Sequence, residues 1–399
     1  MNRNETENID APYELPEGWK WVNVGSIAEV INGKNQKEVE DENGLYPIYG
    51  SGGIIGRAKD FICPENCTII GRKGTINNPI FVETKFWNVD TAFGMKPFNS
   101  VNPKFYFYFC KNFNFSTLDS STAIPSLTKS NIQKISFPLP PTLSEQQRIV
   151  SRIETMFAKL DEAKEKAQNV VDSFETRKAA ILHQAFTGNL TAHWREENGV
   201  SDDSWEEITL EQVTSKIGDG LHGTPIYSND GKYAFINGNN FFYDHIEIKI
   251  DTKFVDENEF KKYSSALNNE IVFVSINGTL GRTAFYNNEK VILGKSACYI
   301  NVISSRLDKY FLRWLFESKY FIDYANEKAT GSTIKNLGLK AIRNLPISLP
   351  VLSEQQEIVR ILDAVLEKER SAKSAAEQVL EQIDLLKKSI LARAFRGEF

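Results

Sequence analysis

The chain has 399 residues, 41% hydrophobic and 25% charged, with a formal net charge of −5 and a pI near 5.7. That length accommodates two domains with cores of their own plus extra helices, and the composition is ordinary for a globular protein. A uniformly basic nucleic-acid binder is excluded, so any polyanion-binding surface has to arise from local clustering.

The start, Met1–Glu7, lacks the basic-then-apolar order of a secretion signal. No apolar run approaches the ~18 residues that span a bilayer. A cytoplasmic chain is expected. Cys63, Cys67, Cys110 and Cys298 show no zinc-ligand spacing, and buried free thiols are expected.

The first domain, residues 1–142, holds β-type runs at Thr68–Ile70 and Ile80–Val82 and an aromatic, helix-like stretch at Lys104–Phe109. Polar, glycine-rich loops lie at Gly50–Arg57 and Gly71–Asn77. Residues 143–190 then read as one long helix. Pro140 and Pro141 keep the entering chain extended, and Ser144 with Gln147 has the form of a capping box. Apolar residues follow at alternating steps of four and three: Ile149, Ile153, Met156, Leu160, Ala163, Ala167, Val170, Phe174 and Ile181, with Arg177 the one break.

The second domain, residues 191–351, repeats the style, with strands at Ile271–Val274 and Cys298–Val302 and an aromatic stretch at Tyr310–Phe316. Its polar loops are Ser275–Arg282 and Gly331–Lys335. Residues 352–399 form a second long helix, with Ser353 and Gln356 as its capping box. Its seam reads Ile358, Leu362, Val365, Ala372, Ala376, Val379, Ile383, Leu386 and Ile390, broken at Glu369. Gly188 and Gly397 close the two helices.

The helices are copies. Leu143–Val150 recurs as Leu352–Val359, an offset of 209, which also carries Ala185-Phe186 and Gly188 onto Ala394-Phe395 and Gly397. Upstream, Ile124, Leu127, Ile132 and Pro140 match Ile334, Leu337, Ile342 and Pro350, and Gly74-Thr75-Ile76 echoes Gly278-Thr279-Leu280. Trp19, Val22, Val24 and Ile27 likewise echo Trp205, Ile208, Leu210 and Val213. A repeat of this kind states how the molecule is assembled.

The seams predict that the helices pack on each other. Each would run roughly 64 Å at 1.5 Å per residue. The intervening domain, about 38 Å across, cannot comfortably bridge that length, so an antiparallel pair is expected. The expected fold is α+β: two mixed α/β domains separated by two long antiparallel helices, coiled-coil-like and pseudo-twofold symmetric.

Polar side chains on the glycine-rich loops suit phosphate contacts and base-edge hydrogen bonds, although the same residues serve plain turns. The candidates for DNA contact are Arg57, Arg72, Lys73, Thr75, Asn77 and Lys129 in the first domain. In the second they are His222, Thr224, Asn239, Asn277, Thr279, Arg282, Ser332, Thr333 and Lys335.

Catalytic signatures are fragmentary. Asn78–Phe81 lacks the second proline of an amino-methyltransferase loop, and neither a dinucleotide-binding nor a Walker loop is present. Ser126 with Lys129 and Ser332 with Lys335 fit Ser-x-x-Lys without its supporting motifs. Glu259-Phe-Lys261 could serve a nuclease with Asp251 or Asp256. No catalytic, cofactor or metal residue is assigned.

Phe137–Gln147, the Ala-Phe-x-Gly endings, Tyr46–Gly56 and Asp219–Tyr227 together resemble the specificity subunit of type I restriction–modification systems across essentially the whole chain. The resemblance implies a non-catalytic subunit whose two target-recognition domains each read half of a split double-stranded DNA site. It also implies that the helices dock two methyltransferase subunits and that restriction/translocase subunits join. S-adenosylmethionine, ATP and Mg²⁺ then belong to the partners. Two other classes stay open on the residues alone: a stand-alone nuclease with duplicated domains, and a coiled-coil scaffold that binds no DNA.

Overall fold

The computed structural model describes residues 11–119, 125–264 and 267–399; Met1–Glu7 and Ile124 lie outside the described residues. In chain order the elements are β1 (Lys20–Asn23), β2 (Ala28–Asn32), β3 (Tyr46–Gly50), β4 (Gly53–Ala58), β5 (Cys67–Gly71), β6 (Ile80–Val82), β7 (Trp87–Asn88), β8 (Ala92–Pro97), α1 (Pro103–Asn112), α2 (Lys129–Gln133), β9 (Ser136–Leu139) and α3 (Leu143–Phe186). There follow α4 (Ala192–Asn198), β10 (Glu206–Thr209), β11 (Thr214–Asp219), β12 (Tyr233–Ile236), β13 (Phe241–Phe242), β14 (His245–Ile246), β15 (Lys253–Val255), α5 (Glu257–Tyr263), β16 (Ile271–Ser275), β17 (Thr283–Phe285), β18 (Val291–Leu293), β19 (Ala297–Val302), α6 (Lys309–Glu317), α7 (Lys319–Lys328), α8 (Leu339–Arg343), β20 (Pro346–Leu349) and α9 (Leu352–Phe395).

The chain divides into two compact units, residues 1–169 with 376–399, and residues 170–375. Both follow one plan. The first has a four-stranded sheet ordered β2-β8-β5-β6, a three-stranded sheet β4-β3-β7 and a β1-β9 pair. The second has β11-β19-β16-β17, β15-β12-β18 and β10-β20, plus the separate hairpin β13-β14. The central strands β5 and β16 are buried at every residue, which fits their unbroken apolar runs.

The aromatic stretches are core helices. In the first unit Phe105, Tyr106 and Phe109 of α1 are buried against Phe137 of β9, and Phe395 at the end of α9 closes on Phe105 with ring centroids 5.0 Å apart. In the second unit Phe186 at the end of α3 meets Phe311 of α6 at 5.3 Å. The Ala-Phe-x-Gly endings therefore plug the recognition-domain cores.

The Leu-Ser-Glu-Gln-Gln openings do something the sequence did not disclose. The expected capping boxes do not form: the Thr142 hydroxyl accepts from the Glu145 amide, and the amides of Glu354 and Gln355 both donate to the Val351 carbonyl. The first glutamine of each motif instead reaches the start of the aromatic helix. Buried Gln146 accepts from the Asn102 amide (2.7 Å) and donates to the Ser100 carbonyl (3.2 Å). Buried Gln355 accepts from the Asp308 amide (2.8 Å) and donates to the Arg306 carbonyl (2.8 Å). Asn102 and Asp308 are themselves the N-caps of α1 and α6.

Within each unit the long-helix segments run antiparallel. In the first, Asp161 pairs with Lys387 (2.5 Å) and Lys164 with Asp384 (3.9 Å), so one number rises as the other falls. In the second, Arg177 pairs with Glu369 (2.8 Å), and Thr191 and Arg195, beyond the end of α3, both bond Glu354 near the start of α9. The charged breaks in the two seams, Arg177 and Glu369, are thus each other's partners.

On α3 the seam residues from Ile149 to Ile181 are all buried or half-buried. On α9 the register needs correcting. Ala372, Val379 and Leu386 are exposed, and the buried face passes one residue later through Lys373, Leu380 and Lys387. The lysines belong there because their stems lie over rings: Lys373 Nζ is 4.9 Å from the Phe174 centroid and Lys387 Nζ 5.1 Å from that of Phe157.

Replacing Gln146 or Gln355 by Ala should cost about 1–3 kcal/mol each, since buried amide partners are left unsatisfied. Gln356→Ala, on an exposed site, should change little. Urea unfolding monitored by circular dichroism checks both.

Candidate nucleic-acid interface

The repeated Gly-Thr-(Ile/Leu) fragments and the short segments that end at Leu127 and Leu337, far apart in sequence, meet in each unit. In the first, the Gly74 amide donates to the Pro125 carbonyl (3.1 Å), the Leu127 amide donates to the Arg72 carbonyl (2.8 Å), and Lys73 bridges Ser126. In the second, Gly278 donates to Lys335 (2.9 Å), Leu337 to Ile276 (2.7 Å), and Asn277 bridges Asn336. The same backbone clamp is built twice. Leu127 and Leu337 are buried beneath it, while Gly74 and Gly278 take positive φ of 79° and 74°, the left-handed turn that glycine adopts without strain. The clamp holds two polar loops side by side and exposes Lys73 and Thr75 in one unit and Thr279 in the other, with Asn277 half-buried.

A turn adjoins each clamp. A Cβ on Gly71 would lie 3.1 Å from Ser51 Cβ, so the β3–β4 turn touches the Gly71–Asn77 loop. A Cβ on Gly238 would lie 2.5 Å from Ser275 Cβ, which sets Asn239, exposed, beside the Ser275–Arg282 loop. Arg282 is exposed and lines a cleft of about 440 Å³ together with Phe242, Tyr243, Lys249, Leu280 and Lys178.

Several other candidates are committed elsewhere. Asn77 is a structural clasp: its carbonyl accepts from the Phe115 amide (2.6 Å) and its amide donates to Asn114 Oδ1 (3.1 Å) and Ser116 Oγ (2.6 Å). The Arg57 guanidinium holds the carbonyls of Gly44 (2.6 Å) and Leu45 (3.2 Å), and Lys129 donates to the Val30 carbonyl (2.8 Å). Arg72 is half-buried, its guanidinium 5.7 Å from the Phe93 centroid. His222 bonds Asp219, and Thr224 is exposed beside it in sequence. Ser332 and Thr333 are exposed next to the second clamp, whereas Lys335 Nζ donates to Asn326 (2.5 Å).

Three of the residues weighed for catalysis have structural tasks, and Asp251 is exposed. Asp256 caps α5, Glu259 accepts from the Ile226 amide (3.0 Å), and Lys261 pairs with Glu257 (2.7 Å). Among the described residues no group of three or more His, Cys, Asp or Glu side chains is placed to hold a metal ion, and no helix is long and apolar enough to cross a membrane. All four cysteines are free and buried, and burial pushes the Cys67 thiol up to about 12 and raises Cys63, Cys110 and Cys298 as well.

Two stretches, residues 16–172 and 202–382, match the family described as type I restriction modification DNA specificity domain. The chain belongs to that family. As a type I specificity subunit it is DNA-binding, with two target-recognition domains. It is similar to the EcoDI specificity subunit of Escherichia coli (22% identical; 96% of this chain, 89% of the relative) and to the MjaVIII specificity subunit of Methanocaldococcus jannaschii (25%; 100% and 97%). Its fold is similar to the HsdS subunit of Thermoanaerobacter tengcongensis (19% identical, 97% of this chain and 99% of that one, TM-score 0.66). It is also similar to a chain from a structure described as showing complex assembly and conformational transition of the type I system (19%, 97% and 100%, TM-score 0.70).

Asn77→Ala should lower stability by about 1–3 kcal/mol through the orphaned Phe115 amide. Thermal unfolding checks this against Thr75→Ala, whose exposed side chain predicts almost no change.

Proposed function

We propose that this specificity subunit is the non-catalytic reader of its complex, each unit recognising one half of a split double-stranded DNA site through its clamped loops. Two methyltransferase subunits dock on the long helices and restriction/translocase subunits join them; S-adenosylmethionine, ATP and Mg²⁺ serve chemistry on those partners. The observation that carries this reading is the duplicated clamp. One backbone frame appears in both units with different side chains, Lys73 against Asn277. A common frame with different donors and acceptors is what reading two unlike half-sites requires.

Support for docking comes from the corrected register. Val379 and Leu386, 39% and 48% exposed, are seven residues apart on α9 and so share a face, with Leu385 at 64% beside them. This apolar stripe suits a helix of a methyltransferase subunit. The double variant Val379→Asp/Leu386→Asp should keep its helical circular dichroism and lose co-elution with the methyltransferase subunit in size-exclusion chromatography.

For DNA, Lys73→Ala/Thr75→Ala and Asn277→Ala/Thr279→Ala should each cost about 1–3 kcal/mol of discrimination at one half-site only. Fluorescence anisotropy of the assembled complex on duplexes altered in one half measures this. Lys73→Ala should also reduce the slope of log K against log salt by about one. Equal loss at both halves from either double variant overturns the division of labour.

A further inference from the structure

Each clamp is flanked by a β-hairpin that carries exposed apolar side chains: β3–β4, the outer pair of a three-stranded sheet, in the first unit and the two-stranded β13–β14 in the second. At the tip of β3–β4, Ile54 and Ile55 are 64% and 55% exposed. Ile55 is the extra residue of a β-bulge between the Ile48–Gly56 and Tyr49–Ile54 pairs, so alternation breaks there and both isoleucines reach the surface. Gly52 and Gly53 at the turn have open space around them, while Gly50, the last residue of β3, is buried, and a Cβ there would meet Ile55 at 3.6 Å and Val89 at 3.9 Å. In the second unit the ribbon is β13–β14, with Phe241 paired to Ile246 and Phe242 to His245. Phe242 is 51% exposed and His245 is exposed beside it.

The ribbons occupy matching places. Ile54 comes three residues after Ser51, which touches the Gly71–Asn77 loop, and Phe242 four residues after Gly238, which touches Ser275. Both apolar tips therefore emerge beside polar loops: Lys73 and Thr75 in one unit, and in the other Arg282 with Lys249, the latter paired with Glu247 at 3.7 Å. Cationic and hydroxyl side chains flanking an apolar tip complement a duplex, whose phosphates border the apolar faces and methyl groups of its bases.

We propose that these ribbons enter the major groove of the half-sites and read thymine through apolar contact of Ile54, Ile55 and Phe242 with its C5-methyl group. The major groove admits a two-stranded β-ribbon and is where thymine displays that methyl. The proposal rests on the assignment of the clamped loops as DNA readers and adds to it a second, apolar element of specificity.

The test uses the full chain assembled with its methyltransferase subunits and the split motif found by methylation mapping. Thymines in each half are replaced singly by uracil, which removes the methyl and keeps the pairing. At one or more thymines of each half the wild-type complex should lose about fourfold in affinity, the worth of one buried methyl group. The double variant Ile54→Ala/Ile55→Ala should be indifferent to uracil in the first half and keep full sensitivity in the second; Phe242→Ala should show the reverse. Retained sensitivity in the other half doubles as the control for folding. A wild-type complex insensitive to uracil, or variants that keep its sensitivity in their own half, overturns the ribbon proposal. If Lys73→Ala/Thr75→Ala also binds the motif like wild type, the loop assignment falls with it; if that variant is weakened, only the ribbon falls.

Discussion

The structure depends on how the aromatic helix of each recognition domain is held. Its N-terminus is hydrogen-bonded by a buried glutamine at the start of one long helix, Gln146 on Asn102 or Gln355 on Asp308. Its apolar face is closed by a phenylalanine at the end of the other, Phe395 on Phe105 or Phe186 on Phe311. A buried amide satisfied by a single side chain is a demanding constraint, because loss of either partner strands a polar group. Neither recognition domain is complete without segments of both long helices. This is why the first compact unit takes in residues 376–399 from the far end of the chain.

The repeat disclosed the assembly without disclosing its purpose. The two strongest copied segments, Leu-Ser-Glu-Gln-Gln and Ala-Phe-x-Gly, read as a cap and a terminator, both local helix functions. The first reaches Ser100 and Asn102, or Arg306 and Asp308, some 45 residues away, and the second reaches Phe105 or Phe311, much farther along the chain. Spacing along a helix carries no signal for such contacts. The weaker echoes, Gly74-Thr75 with Leu127 and Gly278-Thr279 with Leu337, turned out to be two halves of one clamp. A reading that asked which copied fragments could bond each other would have found it.

The α9 register shows a different limit. Periodicity selects apolar residues, and at two steps the apolar neighbour lies one residue before the half-buried lysine, Ala372 against Lys373 and Leu386 against Lys387. At the third, Val379 and Leu380 are both apolar and the pattern does not choose between them. A lysine in a seam reads as a break, yet its methylene stem buries well when an aromatic ring lies beneath the ammonium. Phe157 and Phe174 on α3 supply those rings. The apolar residues displaced from the seam are then free for another face, which gives exposed Val379 and Leu386 a reason that packing within the chain does not.

Among the loop candidates, residue type was a weaker guide than backbone position. Asn77, Arg57 and Lys129 have DNA-binding chemistry, but each satisfies backbone carbonyls or amides that the surrounding turns leave open. Lys73 lies in the clamp with its own amide bonded to the Thr91 carbonyl (3.2 Å), and its side chain and that of Thr75 are exposed. The same reasoning reconciles a net charge of −5 with DNA binding. A reader whose loops are fixed by backbone hydrogen bonds spends few side chains on its own structure. A net charge of −5 therefore does not oppose DNA binding: on the long helices acids pair with bases, Glu145 with Arg148, Glu357 with Arg360 and Glu369 with Arg177, while Lys73 and Thr75 stand exposed at the clamp.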